Sequence, residues 1–399
     1  MPKAQRVPAP LRPPQGRILP EHLVPGTLSI VVFGPGHGES IVVVLPDGTA
    51  GVVDGCREPT GRDPVSEFVE EMERRRPGTP FRLRFVCMTH PHEDHYRGLG
   101  RLLEKYRGRV DHVWRTLGEG DRYLDAWQKY LKVTRPREGS LLPDPDELDG
   151  LARIVAEMRL ASQEHGARFL QLGQNKRLLN EPIHGHELWI EGCGPADGDL
   201  ETAHITLLGT LRKLIRGQKP PSFDPNAASG ALLVRWGKAG VLLGGDLLCG
   251  DGRYKGWEEV HDAISGPVQI VKAAHHASQG AHHEGLLNRL QPDLTIVTPF
   301  LNAGASYPPR PDRILHLAQN STVAITAVPQ WGRARASHPV PRYKTPPAGR
   351  RPTSGPKPSL AQVPTAGEDD ANNAVAVSLN AKGELVGFVL AGKANVYGR

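Results

Sequence analysis

At 399 residues the chain has room for one large domain with insertions or for two ordinary ones. A hydrophobic share of 38%, beside 45 glycines and 37 prolines, describes a core diluted by long connections, and sharply localised apolar runs exclude a wholly disordered chain. The formal net charge of +6 is compatible with a polyanionic substrate, although much of it falls in two Pro-rich stretches where charge also serves solubility, residues 1–20 and 333–357. No apolar run approaches the roughly twenty residues that span a bilayer. The N-terminal stretch has proline where a secretory signal needs apolar residues, so a cytoplasmic protein without a membrane partner is expected. Cys56, Cys87, Cys193 and Cys249 form no CxxC pair, and small buried hydrophobes in a reducing compartment are expected of them.

Residues 1–26 form a Pro-rich basic arm. Short β-branched runs at 28–33, 40–45 and 50–55, bounded by Gly34 to Gly38 and by the turn Pro46-Asp-Gly48, predict strands. Helical spacing with an acidic start predicts a helix over 64–76, stopped by Pro77. An alternating strand at 81–88 leads into Thr89-His90-Pro91-His92-Glu93-Asp94-His95, and a helix is expected over 96–107. Residues of about 120–180 are polar and helical, notably 146–165, and predict an insertion over the core that sets substrate access. The sheet resumes at 184–190, a helix follows over 203–217, and strands return at 231–236, 240–246, 268–274 and 294–298. Residues 335–371 are a flexible Pro, Gly and Ser-rich linker. A last strand pair, 374–378 and 385–390 within residues 372–399, is expected to dock on the core, since an isolated hairpin is marginal in water. Strands and helices in both halves of 27–334 predict a layered α/β domain.

The chemistry concentrates in residues 90–95. His90, His92, Asp94 and His95 converge only if the segment curls at the end of the preceding strand. Imidazoles with a carboxylate suit zinc, with Mn²⁺ or Fe²⁺ as harder alternatives. The competing reading, a tag-like surface loop, sits poorly between a strand and a helix.

The run resembles the HxHxDH motif of the metallo-β-lactamase superfamily. That resemblance implies an αββα sandwich holding one or two divalent metal ions, with zinc expected in preference to manganese. It assigns His90 and His92 to a first metal and Asp94 and His95 to a second. Asp246 in Gly244-Gly-Asp246 resembles the bridging aspartate, and His275, in Lys272-Ala-Ala-His275-His276-Ala-Ser278, a further ligand of the second metal. The segment Gly34-Pro-Gly-His37-Gly-Glu39-Ser40, the run Val-Val-Asp54-Gly55, Asn226-Ala-Ala-Ser229 and the late His-His motif are similar to the ComEC-type DNA-uptake hydrolase domain, with Ala277 where that group has glycine. Asn226 stands where many superfamily members place a third histidine, which leaves the first metal weaker, absent or completed by water.

The implied function is a metal-dependent hydrolase using hydroxide formed when a divalent metal lowers the pKa of water. Asp94, His276 and Asn226 are the expected catalytic residues, with His276, Ser278 or Asn226 donating to developing negative charge. Asp54 is expected to buttress the histidine loop. His37 and Glu39 are either ordinary loop residues or substrate contacts. His184, His186, His282 and His283 are expected on the surface, and His204 in a structural role. A phosphodiesterase or nuclease acting on nucleic acid or a nucleotide is favoured, with Arg97, Arg101 and Arg115 near the site. The rivals are a carboxylic ester, lactone or thioester hydrolase, and a metal-poor binding or scaffold module. The linker or the terminal strands offer a route to a protein partner.

Overall fold

The computed structural model describes residues 7–34, 38–57, 61–76, 78, 80–116, 129, 145–218, 224–300, 308–329 and 372–397. His37, most of the expected insertion before residue 145, and the linker over 335–371 lie outside the described residues.

Among the described residues, two eight-stranded sheets stack face to face. The first contains β1 (Leu28–Phe33), β2 (Ser40–Val44), β3 (Ala50–Val53), β4 (Leu83–Met88), β5 (Val110–Arg115) and β6 (Arg168–Gln171) in sequential order. The second contains β7 (Lys176–Ile183), β8 (His186–Gly194), β9 (Ala231–Trp236), β10 (Ala239–Leu243), β11 (Ile270–Lys272), β12 (Leu294–Val297) and β13 (Thr322–Ile325). The C-terminal strands extend both: β14 (Ala374–Leu379) pairs antiparallel with β1 and carries β15 (Leu385–Ala391), while β16 (Asn395–Tyr397) pairs with β13. The Pro-rich stretch from residue 7 runs along β15, where Leu11 N–H donates to Phe388 O at 2.8 Å and Leu390 N–H donates to Leu11 O at 2.9 Å.

Strand alternation sorts the core into layers, because successive side chains face opposite sides of a sheet. Leu28, Ile30 and Val32 of β1 point inward to meet Leu188, Leu232, Val241 and Ile296 from the second sheet. Val31 and Phe33 point outward and pack beneath α1 (Pro64–Arg74), α3 (Leu99–Tyr106) and α4 (Pro145–Gln163), with the short α2 (Glu93–Tyr96) lying between α1 and α3 in the chain. α5 (Asp197–Ile215) adds Ala203, Leu207 and Leu211 to the same layer. On the far side, Leu242, Val271 and Val323 lie under α6 (Trp257–Val260), α7 (Glu284–Leu290) and α8 (Pro311–Asn320). Helix, sheet, sheet and helix make the αββα sandwich of the metallo-β-lactamase fold.

Several boundaries differ from expectation. β5, β6 and β7 were not anticipated; β6 lies at a sheet edge and buries none of its four residues, so it carries no apolar stripe to read. The helix expected over 96–107 starts instead at Glu93, inside the histidine run, and is interrupted at Gly98. No helix among the described residues is long and apolar enough to cross a membrane.

β3, β4, β5 and β6 run parallel, as do β10, β11, β12 and β13. Asp54, Thr89 and His90 follow the carboxyl ends of β3 and β4, and Asp246, His275, His276 and Thr298 follow those of β10, β11 and β12. The carboxyl ends of parallel strands are where open α/β sheets place ligands.

Candidate metal centre

The histidine loop is fixed from below by one buried carboxylate. Asp54 Oδ1 accepts from Thr89 N–H at 2.7 Å, and Oδ2 accepts from Thr89 Oγ1 at 2.6 Å and lies 2.8 Å from His95 Nδ1. A carboxylate accepts only, so the His95 proton sits on Nδ1 and its Nε2 lone pair faces the cleft. The Thr89 hydroxyl has given its proton to Asp54 and meets His90 Nδ1, 3.1 Å away, as an acceptor. His90 therefore also presents a bare Nε2. Asp54 thus contacts His95 directly and His90 through Thr89.

The second sheet supplies Asp246 through Gly244-Gly245. Gly245 has φ 52°, and a Cβ there would lie 2.3 Å from Gly230 O, so only glycine brings this turn so close to β9. Asp246 N–H donates to Ser229 Oγ at 2.8 Å, and Ser229 Oγ lies 3.2 Å from His90 Nδ1, which ties the two sheets together behind the site.

Among the described residues three donor groups result, the donor atoms of each lying within 4.8 Å of one another: two share Asp246, namely His90, His92 and Asp246, and Asp94, His95, Asp246 and His276, while the third is Glu39, Asp54 and His95. His95 Nε2 is 3.3 Å from Asp246 Oδ2 and 3.5 Å from Asp94 Oδ2; His276 Nε2 is 3.3 Å from Asp94 Oδ2; His90 Nε2 is 3.7 Å from Asp246 Oδ2. Donors about 2.0–2.1 Å from a tetrahedral ion lie roughly 3.3–3.4 Å apart, so these spacings fit. Nε2 of His90, Nε2 of His95 and Oδ1 of Asp246 are buried without a hydrogen-bond partner, a costly state that a shared cation relieves.

The electrostatics agree. Burial opposes a charge on His95, yet the carboxylates of Asp246, Asp94 and Asp54 raise its pKa well above the ordinary imidazole value. Burial likewise pushes Asp246 and Asp94 upward, and the surrounding histidines, His95 foremost, more than reverse this and hold both low. His90 is held neutral by burial and by its neighbour His95. Three carboxylates around buried imidazoles thus call for positive charge, which a divalent cation bound through the imidazole lone pairs would supply in place of protons.

The geometry groups several of the expected site residues differently. His276, rather than His275, joins Asp94, His95 and Asp246. The backbone decides it: His275, His276 and Ala277 all have positive φ (43°, 53° and 57°), a turn that strand alternation does not describe. His275 lies at the rim, 28% exposed, its Nε2 accepting from Asn226 Nδ2 at 3.1 Å and its Nδ1 2.8 Å from Ser278 Oγ. Asn226 and Ser278 therefore hold His275, and Asn226 is not the free donor expected of it. Glu39 is fully buried in an ion pair with Lys272, out of reach of a substrate. Of the arginines, Arg97 pairs with Glu93, Arg101 with Glu70 at 3.0 Å, and Arg115 is 1% exposed with its guanidinium over the Phe169 ring. His184 and His186 are exposed as expected, whereas His282 has both ring nitrogens buried and a pKa lowered by burial to about 4. His283 caps α7, accepting from Leu286 N–H at 3.0 Å. Ser229, Thr89 and Thr298 were given no role from sequence; Thr89 and Ser229 fell inside the quoted motifs, and Thr298 was signalled only by its place at a strand end.

No curated protein matches the chain in sequence. Solved structures align with it at low identity. The metallo-beta-lactamase fold protein YhfI from Bacillus subtilis is 10% identical over 75% of this chain and 96% of that one, with a TM-score of 0.36. Zinc-bound PqqB from Methylobacterium extorquens is 12% identical over 67% and 72%, with a TM-score of 0.30. The short form of human tRNase Z is 13% identical over 67% and 91%, also with a TM-score of 0.30. Residues 33–168, from the end of β1 to the start of β6, match the metallo-beta-lactamase superfamily. That match spans about a third of the chain, includes the His90 to His95 run, and falls on the first sheet of the αββα sandwich.

Proposed function

We propose that the protein is a metal-dependent hydrolase acting on phosphodiesters. The observation that carries the hydrolase reading is the pair of donor groups joined at Asp246, with His90 Nε2, His95 Nε2 and Asp246 Oδ1 buried and unpartnered. Divalent cations held there would supply Lewis acidity and lower the pKa of water toward neutrality. His90, His92 and Asp246 would hold one, and Asp94, His95, Asp246 and His276 the other. His275, at the rim and held neutral by burial, is the imidazole placed to meet a substrate.

Support for phosphodiesters comes from the resemblance of residues 34–40, 226–229 and 272–278 to the ComEC-type domain, and from the net charge of +6. The engaged side chains of Arg97, Arg101 and Arg115 add nothing to it.

The test is hydrolysis of bis-p-nitrophenyl phosphate beside a p-nitrophenyl carboxylic ester by the metal-loaded protein, with Asp94→Ala as control. Phosphodiester turnover abolished by the substitution is expected. Ester turnover alone overturns the substrate class. Absence of bound metal and of both activities overturns the hydrolase reading in favour of a binding module.

A further inference from the structure

We propose that the buried Glu39–Lys272 ion pair is a positioning device for His276, acting through Thr298 and clasping the two sheets beneath the second donor group. The inference rests on the metal-centre reading above and assigns these residues a role in it.

Glu39 precedes β2 in the first sheet and Lys272 ends β11 in the second, 233 residues apart. Both side chains are 0% exposed. Glu39 Oε2 takes the Lys272 ammonium and also accepts from Thr298 Oγ1 at 2.8 Å. With its proton committed to Glu39, the Thr298 hydroxyl can only accept from His276 Nδ1, 3.1 Å away, and Thr298 O lies beside it at 3.0 Å. Both neighbours of Nδ1 are therefore acceptors. With the ring proton on Nδ1, Nε2, 3.3 Å from Asp94 Oδ2, is left to share a cation with that oxygen in place of a proton. Phe300 stacks on the same ring with centroids 5.0 Å apart and stops it from turning.

Glu39 holds the opposing ligand as well. Its backbone N–H donates to Asp94 O at 3.2 Å, across the narrow approach at Gly38, where φ is 111° and a Cβ would lie 2.2 Å from Asp94 O. One residue thus sets both the Asp94 loop and, through Thr298, the His276 ring. Stability alone is a poor reason for the pair, because replacing a buried ion pair with well-packed neutral groups is often neutral or stabilising. Its value lies in placement, as with the carboxylates that orient metal-bound histidines.

The experiment compares Glu39→Gln, Lys272→Met, the double variant and Thr298→Val, reading zinc affinity for each equivalent, the visible spectrum of the cobalt-substituted protein, and the thermal midpoint without metal. Each single charge variant strands a buried charge and lowers the midpoint. The double variant regains most of the midpoint but binds one of its two equivalents at least about tenfold more weakly, with an altered cobalt spectrum. Thr298→Val leaves the ion pair in place and weakens the same equivalent about three- to tenfold. A double variant with wild-type affinities and spectrum overturns the positioning role. If the double variant does not fold, Thr298→Val decides, and unchanged affinity and spectrum in it overturn the role. Wild-type protein that binds no metal instead overturns the metal-centre reading, a distinct result.

Discussion

Replacing Asp54 with asparagine tests how the histidine loop is held. The carboxylate accepts three hydrogens, from Thr89 N, Thr89 Oγ1 and His95 Nδ1, at 2.7, 2.6 and 2.8 Å. Asparagine has one acceptor oxygen and one NH2 group, so no orientation satisfies all three. With its oxygen kept toward Thr89 N–H, the NH2 group confronts His95, whose proton must move to Nε2, the nitrogen needed for a cation. With the amide reversed, NH2 meets the Thr89 backbone N–H and leaves a buried donor unsatisfied, costing about 1–3 kcal/mol. Metal affinity is expected to fall about 10–100-fold, the usual cost of losing such a support. Zinc titration against a competing chelator reads the first effect, and urea unfolding without metal reads the second. Asp54→Asn with zinc affinity within twofold of wild type and unchanged metal-free stability would refute the argument.

The exchange of the adjacent histidines is tested by single substitutions: His276→Ala should weaken one zinc equivalent at least about tenfold, whereas His275→Ala should keep both and change turnover. Equal metal loss in the two variants would restore the order expected from sequence. Gly51→Ala should destabilise the fold by about 1–3 kcal/mol in urea unfolding, since the added Cβ would lie 2.1 Å from the Phe85 ring, itself stacked on Trp114 with centroids 4.2 Å apart. Burial raises the Asp293 carboxyl from its ordinary 3.8 to about 6, so the fold favours its protonated form. The stability this contributes is complete below the unfolded value and lost as pH rises through about 6. Asp293→Asn should therefore raise the thermal midpoint at pH 7.5 and much less at pH 4.5; an equal effect at both would remove Asp293 as the cause.

Local and contiguous features were legible in the sequence. His90 to His95 is six residues at a strand end, and β1 to β4 are apolar runs with clear turns. Asp246 stood out because a buried strand and two glycines deliver it. The choice between His275 and His276 was hidden, because three consecutive residues with positive φ reverse the side-chain order, and nothing in alanine or histidine announces that conformation. Glu39 was readable only as an ordinary loop residue or a substrate contact because its partner lies 233 positions away. β7 was lost in a polar stretch for a related reason: as an edge strand it buries only Leu178, Leu179 and Ile183, too few to show a period.

Asp246 belongs to both donor groups, so the metal content of wild-type protein and of Asp246→Ala tests the account most directly. After zinc loading and removal of free metal, elemental analysis should find two ions per wild-type chain and less than one per Asp246→Ala chain, with the variant still folded. A wild-type chain that retains no zinc, or an Asp246→Ala chain that keeps both ions, would contradict a paired centre built on this aspartate.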